Sequence, residues 1–295
     1  MNNHLKIFTL SLICFISAIP SFCQHGKVIE DLQIRSNILG KEVRYAVYLP
    51  FDYETSDRYY PVVYLLHGYT DDESAWIQFG EVHLAADRAI LSREIPPMII
   101  IMPDAGVTWY INNYDNSIRY EDFFFEEFIP HIENDYRIRK KKEFRGVAGL
   151  SMGGYGSLIY ALRHPDMFAA CAPFSAAIRT EEEVVNQAGD RWDRVEGSVF
   201  GPGLEGKNRI TEHWKSYNPI NVVNHADPDR IKSVKYYLDC GDDDFLYRGN
   251  AEFHILLMDK QIPHEYRVRD GSHSWEYWRT GIIEGLKFIG KNFHR

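Results

Sequence analysis

A serine surrounded by glycines is the most informative chemical feature of the sequence. The stretch GVAGLSMGGYGS, residues 146–157, holds five glycines, and Gly149, Ser151 and Gly153 form a G-x-S-x-G pattern. A strand-like apolar run precedes Ser151, and a helix-like run that ends at Pro165 follows it. At such a turn a serine adopts a strained backbone conformation that raises its hydroxyl above the sheet, and the glycines let strand and helix cross closely. The pattern alone is weak, but in this position it indicates that Ser151 is a nucleophile.

A nucleophilic serine needs a base and a carboxylate that orients the base. His273 lies in the small-residue stretch RDGSHSWEYW, between the last strand-like and the last helix-like run. The run VKYYLDC leads into GDDDFLY, so carboxylates stand at the end of a strand in the chain order serine, aspartate, histidine. The residues alone leave Asp242, Asp243 and Asp244 open. A calcium-binding loop is a third interpretation, disfavoured because the spacing lacks alternate ligands and a distal glutamate.

Stabilisation of a developing oxyanion requires two backbone N–H donors. Met152, the residue after the nucleophile, supplies one of them. The loop after the run VVYLLHG supplies the second, for which we expect the N–H of Tyr69, while His67 is expected to hold this loop rather than to transfer protons. Trp109 and Tyr110, just past the run IMPDAG, are candidates for lining a binding pocket, with ordinary packing as the alternative.

The runs around these residues indicate the fold class. Two alternating runs, KVIEDLQIRS and EVRYAVYLP, are typical of an antiparallel pair of strands. Six short apolar runs follow, as in buried parallel strands: PVVYLLHG, MIIIMPDA, FRGVAGLS, FAACAPFS, VKYYLDCG and EYRVRD. Helix-like segments lie between them, over residues 83–94, 120–135, 153–163, 248–260 and 274–293. This alternation predicts an α/β fold with a mostly parallel central sheet and helices on both faces.

No repeat, linker or change in composition divides the chain, so residues 24–295 are predicted to form a single catalytic domain. Residues 186–230, rich in Gly, Asn, Pro and Trp, are predicted to be an irregular insertion over the edge of the sheet that carries the site. The formal net charge of −9 argues against nucleic acid as a partner. Cys171 and Cys240 lie in apolar runs and are expected to be buried free thiols rather than a disulfide.

The first residues have the layout of a secretory signal peptide. A short polar start precedes an apolar stretch from Ile7 to Ile19, which is too short to cross a bilayer comfortably. Residues 1–23 are therefore predicted to be removed, with cleavage near Cys23. A lipoprotein anchor at Cys23 is disfavoured by the bulky Phe22 before it. The mature protein is expected to be soluble, secreted or periplasmic, and without a membrane span.

Several stretches taken together resemble one known family. They are YLLHGYTDDESAW, IMPDAG, YEDFFFEEFIPHIENDYRI, GLSMGGYGSL, RHPDMF and CGDDDFLY. They are similar to the esterase D-like α/β hydrolases, which include the feruloyl and acetyl-xylan esterases of carbohydrate esterase family 1, S-formylglutathione hydrolase and the mycolyltransferases. The resemblance covers residues 28–295 and implies the α/β-hydrolase fold. It is specific to the superfamily and not to a substrate.

The resemblance also implies site residues. The family's nucleophile and base fall on Ser151 and His273. In feruloyl-esterase-like members one segment reads Cys-Gly-x-x-Asp, which falls on residues 240–244 and implies that Asp244 is the orienting carboxylate. One departure concerns the loop after Gly68, where the family often has further glycine and this chain has the acidic stretch YTDDE.

Together with the export signal, the resemblance implies a secreted serine esterase that works through an acyl-enzyme. Feruloyl or acetyl esters on plant cell-wall polysaccharide are the expected substrates, and neither a metal nor an organic cofactor is expected. A short-chain carboxylesterase, a siderophore-ester hydrolase and an acyltransferase are the alternatives within the class, and the export signal disfavours the cytosolic S-formylglutathione reaction. A non-catalytic carbohydrate-binding protein on a hydrolase scaffold is the alternative of another class. The intact set of Ser151, Asp244 and His273 argues against it.

Overall fold

An eight-stranded sheet forms the centre of the computed structural model, which describes residues 25–293. The predicted signal peptide, residues 1–23, lies outside the described residues. The strands, in chain order, are β1 Lys27–Arg35, β2 Glu42–Leu49, β3 Val62–Leu66, β4 Ile99–Pro103, β5 Arg145–Leu150, β6 Ala170–Phe174, β7 Lys235–Gly241 and β8 His264–Arg269.

The strands lie in the order β1-β2-β4-β3-β5-β6-β7-β8. β2 pairs antiparallel with β1 and with β4, and the other pairs are parallel. The predicted antiparallel pair and mostly parallel sheet are therefore confirmed. β5, which leads into Ser151, lies between β3 and β6. The carboxyl ends of these parallel strands meet at one edge of the sheet, where loops can form a site.

Strand side chains alternate between two cores, because successive residues of a strand point to opposite faces of the sheet. In β3, Val63 and Leu65 belong to the core on one face, whereas Val62, Tyr64 and Leu66 belong to the core on the other. Both faces are covered, which is why the central strands are apolar throughout instead of alternating with polar residues.

Helices cover both faces. In chain order they are α1 Ala75–Gln78, α2 Val82–Leu91, α3 Tyr120–Asp122, α4 Ile129–Asp135, α5 Met152–Arg163, α6 Glu181–Asn186, α7 Gly189–Val195, α8 Gly197–Phe200, α9 Glu212–Tyr217, α10 Pro219–His225, α11 Pro228–Lys232, α12 Tyr247–Asp259 and α13 Trp275–Asn292. Side chains of α2 and α13 pack into one core, and those of α5 and α12 into the other. A π-helical turn, Phe123–Phe128, joins α3 to α4, so the helix predicted over 120–135 is widened in its middle. Within residues 25–293, none of the helices has the length and apolar character needed to cross a lipid bilayer.

Residues 186–230 are a series of short helices, which corrects the prediction of irregular structure. α6 to α11 and a 3₁₀ turn, Gly206–Arg209, occupy most of residues 181–232, hereafter called the helical insert. Four of the helices begin at a side chain that accepts a backbone N–H: Thr180, Thr211, Asn218 and Asp227. None of these helices exceeds seven residues. That length is too short to show the periodicity by which a helix is recognised in a sequence.

Cys171 in β6 and Cys240 in β7 are buried free thiols, as the sequence predicts. The Cys171 thiol donates to the Ser157 carbonyl oxygen at 3.3 Å. Burial raises the pKa of both thiols. Neither therefore forms the thiolate that a reactive cysteine needs at neutral pH.

Candidate active site

Ser151 occupies the sharp turn between β5 and α5. Its φ of +53° lies in a region that residues with a side chain rarely adopt. A Cβ atom on Gly153 would overlap the Leu66 carbonyl oxygen, and one on Gly149 would overlap the Gly153 backbone. The turn therefore requires glycine at both positions, which explains why glycines are crowded around this serine.

His273 and Asp244 meet Ser151 at the carboxyl edge of the sheet. The imidazole Nε2 of His273 lies 2.9 Å from Ser151 Oγ, and its Nδ1 lies 2.8 Å from Asp244 Oδ2. Asp244 follows β7, and His273 lies between β8 and α13. When Nδ1–H is donated to the carboxylate, Nε2 is free to accept the serine proton. The three side chains thus have the arrangement of a nucleophile, a base and an orienting carboxylate.

Asp244 is a buried carboxylate with strong partners. It is 1% exposed, and its Oδ1 accepts the Leu246 N–H at 2.8 Å. Burial opposes its charge, but the hydrogen bond and positive charge of His273, helped by Ser175 and Leu246, hold the pKa of Asp244 below its ordinary range. The carboxylate is therefore ionised at neutral pH and can stabilise an imidazolium.

Two aromatic side chains restrain the His273 imidazole. The Trp278 ring meets it edge-on with centroids 4.8 Å apart, and the Phe245 ring centroid lies 4.6 Å away. Trp278 Nε1–H also donates to Ser175 Oγ at 3.0 Å, and Ser175 is fully buried with a φ of +44°. Phe245, Trp278 and Ser175 were not identified from the sequence. Only the aromatic stretch just after His273 indicates one of them, Trp278.

The structure separates the three adjacent aspartates. Asp244 faces His273, whereas Asp242 and Asp243 are exposed. Carboxylate oxygens of Asp242, Asp243 and Asp270 lie within 4.8 Å of one another, but all three residues are exposed. Acidic side chains at a surface commonly cluster without a cation, so this group by itself does not indicate a metal site.

His67 orients the peptide that carries the second expected oxyanion donor. Its Nε2 accepts the Ala105 N–H at 2.9 Å, so the ring proton is assigned to Nδ1, which donates to the Gly68 carbonyl oxygen at 2.7 Å. The Gly68–Tyr69 peptide is trans, so fixing its carbonyl on one side directs the Tyr69 N–H to the other. Within residues 25–293, the Tyr69 N–H has no backbone carbonyl partner. Met152 is the first residue of α5, where an N–H has no partner within the helix. Both N–H groups therefore remain available to a ligand.

A cavity of about 380 Å³ opens over Ser151, and most of its wall is apolar. Trp109 lines this cavity, and its indole Nε1–H donates to the Val195 carbonyl oxygen at 3.1 Å. Tyr110 does not line it. The Tyr110 ring is fully buried, and its hydroxyl donates to the His67 carbonyl oxygen at 3.0 Å. The prediction of a pocket role for Tyr110 is therefore corrected, because adjacent side chains here point in different directions.

Charged side chains form one part of the cavity wall. Arg179 lies between β6 and the helical insert, and Arg191 and Glu196 belong to the insert. The Arg179 guanidinium lies 5.7 Å from the Phe245 ring centroid, and its Nε is buried with no hydrogen-bond partner among the described residues. Burial, together with the like charge of Arg191, lowers the pKa of Arg179, and burial raises the pKa of Glu196. No sequence motif marks these residues.

The chain is similar to known ester hydrolases over most of its length. A profile of the esterase family matches residues 36–289. The chain belongs to the esterase family. The chain is 34% identical to a solved ferulic acid esterase, with a TM-score of 0.76 and coverage of 92% of this chain and 99% of that one.

Two curated relatives support the assignment. An esterase of Mycobacterium tuberculosis is 30% identical over 260 residues, which cover 82% of this chain and 54% of the relative. An endo-1,4-beta-xylanase/feruloyl esterase of Xylanibacter ruminicola is 31% identical over 203 residues, 65% of this chain and 27% of the relative. The chain thus spans about half of the first relative's length and about a quarter of the second's. The predicted α/β-hydrolase fold and esterase D-like family are confirmed, and the predicted ester hydrolase is confirmed at the level of the family.

Proposed function

We propose that this esterase is secreted and hydrolyses feruloyl esters of plant cell-wall polysaccharide. The cavity over Ser151 carries the proposal. Its volume of about 380 Å³ lies in the range of pockets that enclose drug-sized ligands, and an acetyl group would leave most of it empty. Relatives named ferulic acid esterase and endo-1,4-beta-xylanase/feruloyl esterase favour the same substrate class. The signal-like sequence of residues 1–23 favours export to the compartment where such polymers are found.

The proposed reaction passes through an acyl-enzyme. Ser151 Oγ attacks the ester carbonyl carbon while His273 Nε2 takes the hydroxyl proton, and Asp244 stabilises the resulting imidazolium. The N–H groups of Tyr69 and Met152 bind the oxyanion of the tetrahedral intermediate. The carbon–oxygen bond to the alcohol then breaks, and His273 gives its proton to the departing alcohol.

Deacylation repeats these steps with water. His273 takes a proton from a water molecule as that water attacks the acyl carbon, and then returns the proton to Ser151 Oγ. The product acid leaves, and the serine hydroxyl is restored. His273 is thus the proton acceptor or donor in every proton transfer of the cycle.

We assign the charged part of the wall to the far end of the acyl group. The Phe245 ring centroid lies 4.6 Å from that of the His273 ring and 5.7 Å from the central carbon of the Arg179 guanidinium. An acyl group bound to Ser151 that passes Phe245 therefore reaches Arg179. The feruloyl ring carries hydroxyl and methoxy oxygens on neighbouring carbons, and a planar guanidinium is suited to bind such a pair of oxygens.

The test is hydrolysis of methyl ferulate, p-nitrophenyl acetate and p-nitrophenyl butyrate by the mature protein and its Ser151→Ala variant. We expect methyl ferulate to be cleaved well and the variant to be inactive on all three esters. Turnover of the p-nitrophenyl esters alone would contradict the feruloyl substrate but not the nucleophile. Full activity in Ser151→Ala would contradict the nucleophile itself.

A fluorophosphonate probe separates an esterase from a carbohydrate-binding protein on the same scaffold. We expect the probe to label the wild-type protein and not Ser151→Ala, because labelling requires an activated serine. No labelling of either protein would favour the binding protein. The N-terminus of the protein recovered from culture medium tests export, and a protein retained inside the cells with residues 1–23 attached would contradict it.

A further inference from the structure

A pair of aromatic rings leads outward from the cavity over Ser151. Trp275 lines the cavity at the first residue of α13. The Phe79 ring lies outside the cavity, with its centroid 5.7 Å from that of Trp275 and its plane inclined by 42°. Phe79 is 49% exposed. The two rings therefore continue the apolar surface from the mouth of the cavity onto the outside of the protein.

Buried neighbours hold this aromatic pair in place. The Trp275 ring meets Trp76 and Trp278 edge-on, with centroids 5.3 Å and 5.5 Å apart. The Phe79 carbonyl oxygen accepts the Arg279 Nε–H at 2.8 Å, which ties its backbone to α13. Rings that are already fixed bind a ligand with little further loss of conformational freedom.

The reaction proposed above gives Phe79 no role, because the acyl group lies inside the cavity. A single exposed ring needs no explanation, but this one adjoins a ring of the cavity wall. Polar side chains surround the Phe79 ring. Arg279 Nη1 lies 3.7 Å from Glu81 Oε1, and Gln78, which precedes Phe79 in the chain, is exposed. A sugar ring presents C–H groups on its face and hydroxyls at its edge, which suits flat rings with hydrogen-bonding groups around them. A lipid chain would instead need a longer apolar strip without charged neighbours.

We propose that Phe79 and Trp275 form a binding subsite for the saccharide that leaves as the alcohol of the ester. This inference rests on the proposed function, since it assigns the sugar side of the same cleavage. The esterified sugar packs at Trp275, next to the reacting carbonyl, and a neighbouring sugar of the same chain packs on Phe79. The subsite thereby favours esters on an oligosaccharide over simple alkyl esters.

The test compares two substrates with the same acyl group, methyl ferulate and a feruloylated arabinoxylan oligosaccharide. For Phe79→Ala we expect the KM for the oligosaccharide to rise about 3- to 10-fold, the loss of one aromatic contact, with kcat retained. Methyl ferulate has no sugar to lose, so its kinetic constants should not change. Phe79→Trp should restore the KM. Tyr59→Ala is the matched control, because Tyr59 is 56% exposed and precedes the amino end of β3, whereas the site lies at the carboxyl ends of the parallel strands.

An unchanged KM for the oligosaccharide in Phe79→Ala, or an equal loss with methyl ferulate, would overturn the subsite. If the wild-type protein cleaves neither methyl ferulate nor the feruloylated oligosaccharide, the proposed function is wrong. The subsite is then tested separately by measuring saccharide binding. Tryptophan fluorescence of Ser151→Ala, titrated with unesterified xylo-oligosaccharide, then supplies the readout. A response that the added Phe79→Ala change removes supports the subsite, and no response overturns it.

Discussion

Replacement of Arg179 by methionine should separate recognition of the feruloyl ring from the chemical reaction. Methionine keeps an unbranched apolar chain in the cavity wall and removes the guanidinium. We expect kcat/KM for methyl ferulate to fall strongly. Methyl cinnamate, whose ring carries no oxygens, should keep the kcat/KM that it has with the wild-type enzyme.

The size of the effect follows from the present partners of Arg179. Its Nη1 lies 3.6 Å from Glu183 Oε1, beyond hydrogen-bond distance, and its Nε has no partner among the described residues. The side chain is 18% exposed, so water competes little for its donors. A hydrogen bond from a charged group contributes about 1.5–3 kcal/mol, and about 1.4 kcal/mol corresponds to a tenfold change. The expected loss in kcat/KM for methyl ferulate is therefore about 10- to 100-fold.

The assay measures initial rates on methyl ferulate, methyl p-coumarate and methyl cinnamate for the wild type and for Arg179→Met. Arg194→Met is the matched control, because Arg194 belongs to α7 and its side chain is 67% exposed. Equal losses on ferulate and cinnamate would refute the reasoning, since Arg179 would then support the cavity rather than bind the ring oxygens. An undiminished rate on ferulate would refute it as well.

Four further changes test the site and its scaffold. Gly153→Ala should lower the free energy of unfolding, measured by urea denaturation, by about 1–3 kcal/mol or more, because the new Cβ has no room. Gly189→Ala is the control and should have little effect, because no atom lies nearer than 4.0 Å to its new Cβ. Similar values for both variants would contradict the steric argument. Asp244→Asn should lower kcat on methyl ferulate by about 10³–10⁴-fold with little change in KM, since the amide no longer selects the His273 tautomer that carries its proton on Nδ1. His67→Leu should lower kcat by about 10²-fold with KM kept, through misorientation of one oxyanion donor, and a loss confined to KM would count against that role. Burial favours the neutral form of Glu121, but hydrogen bonds from His164 and Arg163 outweigh it and lower the pKa of Glu121 to about 2. The Glu121 charge therefore stabilises the fold above the pKa of the unfolded chain, and this stabilisation is lost as the pH falls towards 2. Glu121→Gln should be less stable than the wild type at neutral pH and lose less stability on acidification, as measured by thermal unfolding.

Features that are encoded over a few neighbouring residues could be predicted. The central strands are short apolar runs bounded by turn residues, and the longer helices show their periodicity, so the parallel sheet and its helices were predicted near their observed bounds. The helices of the helical insert could not be predicted, because they are too short to show a period. Sequence signals for the starts of three of them are nevertheless present: Thr, Asn and Asp caps, and prolines at first helical positions.

The candidate site divides in the same way. Ser151 stands out through its own neighbours, and His273 through its position between the last strand and the last helix. The choice among the three aspartates depends on the direction in which each side chain leaves the turn after β7. The structure shows that only the third points to the imidazole. Trp109 and Tyr110 are a second example. Trp109 lines the cavity, whereas its neighbour Tyr110 is buried beside it.

By itself the sequence determined the sheet, the glycine-lined turn at Ser151 and the order of the residues proposed for catalysis. These depend on backbone preferences that act over a few residues. Only the tertiary structure decided what surrounds Ser151: the imidazole that is 122 positions away in the chain, the guanidinium of Arg179 in the cavity wall and the ring of Phe79 outside it. Such neighbours come from segments that meet only when the chain folds, and no local pattern records which side chains will face one another there.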